Sequence, residues 1–340
     1  MITVLGAGNW GTTLADLVAQ NGHDVRLWTR SPAQRDEING LHTNERGVKE
    51  LRIDERVVAT TDLEEAVRGA ELVIMVIPSQ AVREVARSLG DVLAPEQVVL
   101  NAAKGLERES NARMTSIVLE ETCAKQIGVL SGPNLAPEIA KRKPAGTVIA
   151  SRFPHVIRLA RRIVSSPRMM VFASEDVVGV ELAAALKNVV AIAAGAATMM
   201  GIGENAKAFL VTRGLAEMTR LAVTMGASPL TFEGLAGVGD LMVTCASPIS
   251  RNHRVGAALA RGERLPDILE GLGMVAEGVY AAVAARDLAR AYGVEAPLLE
   301  RVYRVLYDGL GCEEALSELM TLPAGRDVPR FAMAGVGAGV

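Results

Sequence analysis

Between residues 1 and about 173 the chain alternates short β-branched runs with stretches whose apolar positions recur at helical spacing. The runs Ile2–Leu5, Asp24–Trp28, Val57–Ala59, Leu72–Ile77, Gln97–Ala102, Ile127–Leu130, Gly146–Ala150 and Met169–Phe172 predict strands. Leu72–Ile77 is apolar at every position, the pattern of a strand covered on both faces. Ser31-Pro32 reads as an N-cap followed by proline at the first helical position, and Asp62 with Glu65 as a capping box. Such alternation predicts a parallel sheet flanked by helices. Beyond Glu175 the strand signal stops, and 176–200, 205–224, 250–262, 265–272, 278–292, 297–307 and 312–319 predict helices only. The expected fold is α/β: an N-terminal Rossmann-type, mostly parallel sheet domain over 1–175, then an all-α substrate and dimerisation domain over 176–322. The tail over 323–340 is low in complexity and expected to fray.

A length of 340 residues suits two domains, and 49% hydrophobic residues fill two cores. A net charge of −3 argues against a nucleic-acid partner. The short basic spots Arg161–Arg162 and Lys141–Lys143 read as solvated faces. Cys123, Cys245 and Cys312 are far apart and odd in number, which implies no disulfide framework and fits the reducing cytoplasm. Ile2–Leu5 runs straight into a glycine turn, so no signal peptide is expected. His23, His42, His155 and His253 are scattered, and no metal site is expected. The most apolar stretch, Val189–Ile202, is shorter than the ~20 residues a bilayer span needs and predicts a buried helix without integral membrane contact. The helices over 176–200 and 205–224 look too apolar for one small domain to hide, which predicts a homodimer through the helical domain.

Ile2–Leu5 leads into Gly6-Ala7-Gly8-Asn9-Trp10-Gly11, then a helix ending near Gly22 and a second strand. Strand, G-x-G-x-x-G turn, helix and strand in that order form the dinucleotide fingerprint, with the pyrophosphate on the helix N-terminus. Where an NAD-specific site places an acidic residue, after the second strand, this chain has Arg30. A guanidinium there can neutralise a 2′-phosphate, which tips the expectation slightly toward NADPH over NADH; a solvent-facing arginine is the plainer reading.

Lys187 stands alone in an apolar helix between Leu186 and Val189. Burial lowers a lysine's pKa toward the ~7–8 useful to a general acid–base; a snorkelling lysine at a helix edge reads equally well. Asp240, after the glycine-rich Gly234–Gly239, suits either a partner that orients Lys187 or an N-cap. Lys104 follows the strand Gln97–Ala102, at the sheet end where ligands bind; it reads as a cation beside a reacting oxygen or as a surface charge. Ser250-Arg251-Asn252 looks like a helix start that clamps a phosphate. Asn188 and Thr244 are weaker candidates to line the same pocket.

Several segments come in a telling order: Gly6–Gly11, Asn101–Leu106, Ser131-Gly132-Pro133, Leu186–Val189, Asn205-Ala206-Lys207, Thr212-Arg213-Gly214, Gly237–Leu241, Ser250–Asn252 and Glu277-Gly278. Together, over about residues 1–320, the chain resembles the NAD(P)-dependent sn-glycerol-3-phosphate dehydrogenase family, bacterial type. The resemblance implies reversible, NAD(P)H-dependent reduction of dihydroxyacetone phosphate to sn-glycerol 3-phosphate for phospholipid synthesis. It implies Lys187 as proton donor, helped by Lys104 and Asp240. Substrate would meet Lys104, Gly132, Asn188, Thr244, Ser250, Arg251 and Asn252. Coenzyme would meet Gly6, Gly8, Asn9, Trp10, Gly11, Arg30, Lys104, Ala136, Arg251, Val275 and Glu277. Asn134 departs from the Ser or Thr usual after the Ser-Gly-Pro turn, which leaves the substrate geometry there open. Ketopantoate reductase, 6-phosphogluconate dehydrogenase and opine dehydrogenases share the expected architecture; the Ser250–Asn252 clamp favours a short phosphorylated ketone. A non-catalytic dinucleotide sensor would not need Lys104, Lys187 and Asp240 together.

Overall fold

The computed structural model of the chain describes residues 1–273 and 275–323. Apart from Pro323, the tail expected to fray lies outside the described residues. All eight expected strands form: β1 (Ile2–Leu5), β2 (Val25–Trp28), β3 (Val57–Thr60), β4 (Leu72–Met75), β5 (Val98–Asn101), β6 (Ile127–Ser131), β7 (Ala145–Ala150) and β8 (Met169–Ser174). The apolar run predicted a strand to Ile77, but β4 ends at Met75, and Val76 and Ile77 lean on the turn that follows β1. The strands make one sheet in the order β3-β2-β1-β4-β5-β6-β7-β8.

From β3 to β6 in that order every neighbouring pair is parallel. Strand β7 then runs antiparallel to β6, and β8 pairs parallel to β7. A parallel return needs a crossover long enough to travel back along the sheet. The β6–β7 link holds only the five-residue helix α6 (Ala136–Ala140), so the chain reverses instead. The other helices of this half are α1 (Asn9–Gln20), α2 (Pro32–Leu41), α3 (Leu63–Val67), α4 (Val82–Gly90), α5 (Met114–Glu121) and α7 (Pro154–Val164). Ser31 caps α2 by accepting from the Gln34 N–H. At α3 only half of the expected box forms: Asp62 accepts from the Glu65 N–H, while the Asp62 N–H goes to Thr60 and the Glu65 carboxylate is engaged by the Thr60 hydroxyl. The Lys141–Lys143 spot is not wholly a solvated face, because Arg142 pairs with buried Asp16 at 3.0 Å.

Past Ser174 the described residues form no strand, and their α-helices are α8 (Val177–Met200), α9 (Glu204–Thr224), α10 (Asp240–Ala246), α11 (Arg251–Ala260), α12 (Leu265–Leu272), α13 (Glu277–Ala291), α14 (Pro297–Tyr307) and α15 (Cys312–Met320). Helix α10 was not expected; the glycine-rich Leu235–Gly239 ahead of it is a wide helical turn, a shape common at functional sites. At 24 residues, α8 is long and apolar enough to cross a membrane, so shortness does not argue against a span. Its surroundings argue against one: α9, α10, α11, α13 and α14 pack around it, and its most apolar window is 83% buried. The chain itself covers most of α8, so of the two helices that prompted the homodimer expectation this one leaves only its C-terminal end, at Thr198 and Met199, exposed.

Two features set α8 against its neighbours. A Cβ at Gly256 would lie 1.8 Å from the Ile192 carbonyl oxygen, so α11 crosses α8 with backbones in direct contact. Glu181, buried in α8, accepts from Arg113 Nη1 at 2.6 Å and from the Thr115 N–H and hydroxyl at 2.8 and 2.6 Å. It thereby caps α5, whose own N-cap residue supplies no side-chain bond, and clasps the helical half to the sheet half.

Candidate active site

Strands β1 and β4 are neighbours whose following segments lead to opposite sides of the sheet, which makes the crevice beyond their C-terminal ends the topological switch point. The glycine turn fills that place. Gly6 has φ +114°, and a Cβ there would sit 2.4 Å from the Val76 carbonyl oxygen; one at Gly11 would sit 1.8 Å from that of Gly6. A Cβ at Gly8 would meet nothing within 4 Å, so the turn is tight behind and open in front. Helix α1 starts there with Gly8 as N-cap and no side-chain cap, leaving its first N–H groups to an outside acceptor. Asn9 Oδ1 and Trp10 Nε1 are buried without a partner. Uncapped amides, open space and orphaned polar atoms fit a dinucleotide lying on the helix N-terminus. Arg30 is exposed just past β2, and buried Ala136 opens α6.

Asp240, the first residue of α10, is buried and shared by two lysines. Lys187, from the middle of α8, donates to its Oδ1 at 2.6 Å and to Thr244 Oγ1 at 2.6 Å. Lys104, just past β5, donates to its Oδ2 at 2.7 Å and to the Gly132 carbonyl at 2.9 Å. Thr244 passes its own hydrogen to the Asp240 carbonyl at 2.6 Å. Lys187 therefore points inward and does not snorkel, and Asp240 caps nothing: Gly239 is the N-cap of α10. Burial pulls the Lys187 ammonium down to about 8, against the attraction of Asp240 and with the repulsion of Lys104. Burial pushes the Asp240 carboxyl up, but the two ammonium groups outweigh it and hold it below its usual range. The three groups carry one net positive charge.

The α8–α11 crossing brings the expected anion clamp alongside. Ser250 caps α11 by accepting from the His253 N–H at 3.4 Å. Asn252 Nδ2 donates to Asn188 Oδ1 at 2.8 Å, Asn252 Oδ1 accepts from the Gly278 N–H at 2.9 Å, and Asn188 Nδ2 donates to the Ala184 carbonyl at 3.1 Å. Both amides are thus fixed, each with one N–H left to give. Arg251 lies on the exposed side of α11 and donates to the Val275 carbonyl at 2.6 Å. Asn134 is held by β7, accepting from Thr147 Oγ1 at 3.0 Å and donating to the Gly146 carbonyl at 3.3 Å.

Ser79, passed over in the sequence, gives both its N–H and its hydroxyl to the Glu277 carboxylate. Nothing local signals that pair, because the two residues are 198 positions apart.

A fingerprint crevice at the switch point of a sheet, with a buried lysine facing it from a helical half, defines an NAD(P)-dependent oxidoreductase. Models of the N- and C-terminal parts of NAD-dependent glycerol-3-phosphate dehydrogenase match residues 1–156 and 176–317. The NAD(P)-linked glycerol-3-phosphate dehydrogenase of an Exiguobacterium strain is 43% identical over 325 residues, 95% of each chain. The crystal structure of glycerol-3-phosphate dehydrogenase from Coxiella burnetii superposes with a TM-score of 0.90 at 34% identity, covering 94% of this chain and 98% of that one. A ketopantoate reductase from Ralstonia eutropha, at 16% identity and a TM-score of 0.57 over 94% of this chain and all of its own, shares the fold alone. The chain belongs to the NAD-dependent glycerol-3-phosphate dehydrogenase family.

Proposed function

We propose that this chain reduces dihydroxyacetone phosphate to sn-glycerol 3-phosphate, reversibly, with Lys187 supplying the proton. The observation that carries the reading is the single buried carboxylate shared by Lys187 and Lys104 beside the N-terminus of α11. Residues 1–175 hold the coenzyme and residues 176–322 complete the substrate pocket. NAD(P)H, when bound, supplies the hydride that goes to C2. Lys187 gives its proton to the oxygen at C2, which becomes the alcohol, and Asp240 and Thr244 fix the Nζ that gives it. Lys104, held by Gly132, keeps a positive charge next to that oxygen as its electrons accumulate. Ser250, Arg251 and Asn252 receive the phosphate at the start of α11, and Asn188 and Thr244 close the pocket wall.

Gly6, Gly8, Asn9, Trp10 and Gly11 hold the pyrophosphate. Ala136 and Lys104 lie toward the nicotinamide, and Arg251, Val275 and Glu277 approach from the helical half. Exposed Arg30 suits a 2′-phosphate, which tips the coenzyme slightly toward NADPH over NADH. Product feeds glycerophospholipid synthesis in the cytoplasm. Met199 and Phe209, exposed where α8 passes into α9, are the surface through which a homodimer forms; light scattering at micromolar concentration reads its mass, and a monomer overturns that part.

The deciding experiment follows nicotinamide absorbance with dihydroxyacetone phosphate for the wild type and Lys187→Ala. Turnover by the wild type with a loss of roughly 10²- to 10⁴-fold in the variant supports the reading. A folded, coenzyme-binding wild type that ignores dihydroxyacetone phosphate but consumes 2-ketopantoate overturns it.

A further inference from the structure

The segment leaving β4 flanks the glycine turn, and Ser79 closes that segment, buried to 1% exposure. Its N–H donates to Glu277 Oε1 at 2.9 Å and its hydroxyl to Oε2. The hydroxyl has only one way to point, because Gln80 Nε2 donates to Ser79 Oγ at 3.0 Å. Gln80 is itself held, donating to the Leu106 carbonyl at 2.8 Å and accepting from the Arg108 N–H at 3.0 Å. The loop bearing Lys104 also presses on the pair: a Cβ at Gly105 would lie 2.6 Å from Ser79 Oγ and 2.9 Å from Glu277 Oε2. Glu277 opens α13, and Arg251 stands near enough to act on its charge. The exits of β4 and β5 and the start of α13 thus converge on one carboxylate, next to the segment that flanks the glycine turn.

Each carboxylate oxygen has two lone pairs. Ser79 takes one from each and leaves one on each, so the fixed group still accepts from hydroxyl donors such as those of a ribose. We propose that Ser79 is a positioning residue for coenzyme binding, which aims Glu277 at the crevice and draws the helical half onto the sheet half before the coenzyme arrives. The proposal rests on the crevice being the coenzyme site, as proposed above. Without the hydroxyl the carboxylate keeps only the amide bond and swings, and the coenzyme must order it on binding.

The test compares Ser79→Ala and Ser79→Thr with the wild type, by calorimetric titration with NADPH and NADH and by steady-state kinetics. The expected result for Ser79→Ala is coenzyme binding weakened roughly tenfold or more, the loss that follows removal of a hydrogen bond to a charged group. The coenzyme KM rises in step, and kcat at saturating coenzyme stays within about twofold because Ser79 touches no reacting atom. Ser79→Thr, which keeps the hydroxyl, restores binding. Glu277→Gln added to Ser79→Ala costs little more, because both act through one contact. The proposal is overturned if Ser79→Ala binds coenzyme like the wild type while melting lower, or if Ser79→Thr binds as weakly as Ser79→Ala. Calorimetry needs no turnover, so a wild type that binds coenzyme but ignores dihydroxyacetone phosphate overturns the substrate reading and leaves this comparison standing. A wild type that binds neither coenzyme overturns both.

Discussion

Asp240→Asn removes the one negative charge between two ammonium groups while keeping the side chain's size. Lys187 Nζ lies 2.6 Å from Asp240 Oδ1. With charge centres about 4 Å apart and an effective dielectric of ~20, that attraction amounts to ~4 kcal/mol. At ~1.36 kcal/mol per pKa unit, its loss moves the ammonium down by ~3 units. The Lys187 group, held at about 8 in the native chain, falls toward ~5 in the variant. At pH 7 only ~1% of it then carries the proton that reduction needs, so kcat/KM for dihydroxyacetone phosphate drops roughly 100-fold. The drop shrinks as pH falls toward 5, because Lys187 recovers its proton there. The assay is initial rate against pH in both directions. Thermal melting and coenzyme titration accompany it, because breaking a buried pair can cost ~3–5 kcal/mol of stability. A variant that stays folded and loses the same factor at every pH, with its alkaline limb still near 8, refutes the reasoning.

In the wild type, the proton-donating form of Lys187 is lost above about 8, so kcat/KM for reduction should be level below that pH and fall above it, with oxidation showing the mirror image; a profile flat from pH 7 to 10 removes Lys187 from the proton path. Gly11→Ala places a carbon 1.8 Å from the Gly6 carbonyl oxygen, which should cost ~1–3 kcal/mol of stability and more than tenfold in coenzyme affinity; native affinity by calorimetry contradicts the tight turn. Arg30→Asp should raise the KM for NADPH far more than that for NADH, and equal changes refute the coenzyme preference. Glu217 of α9 accepts from the Leu298 and Leu299 N–H groups at the start of α14, and burial pushes its carboxyl up to about 7 from 4.5. The folded chain thus keeps a proton that the unfolded chain loses near 4.5, and the resulting stabilisation is full below that pH and gone above about 7. The melting temperature of the wild type relative to Glu217→Gln should therefore fall from pH 5 to 8, and a constant difference refutes it.

The strands were legible because burial on both faces leaves unbroken apolar runs such as Leu72–Met75, which no helix of this half shows. Lys187 was legible for the complementary reason, as a charge where the pattern calls for none. Direction was not: nothing in Ala145–Ala150 says that β7 runs against β6, since that follows from the shortness of the link before it. Helix α10 was missed because Gly234, Gly237 and Gly239 read as a turn, whereas here they let a wide coil pack under Phe232, where a Cβ at Gly237 would come within 2.3 Å. The extent of α8 was legible, 176–200 expected against Val177–Met200 found, but what Lys187 and Glu181 meet was not. Both are interior, each satisfied by partners far along the chain. Long-range pairs such as Ser79 with Glu277 leave no trace in spacing or periodicity.

The sharing of Asp240 has a consequence for how this molecule comes into being. Lys104 reaches the carboxylate from the sheet half, while Lys187 and Asp240 itself come from the helical half. Residues 1–175 carry all eight strands and the glycine turn, yet hold no part of the carboxylate that Lys104 pairs with. Once the second half emerges, the ion group closes only when the two are seated in register. A chain whose halves are each folded but misaligned would leave a buried acid short of one of its two cations. On the mechanism proposed above, the two halves must be seated in register before the site can act.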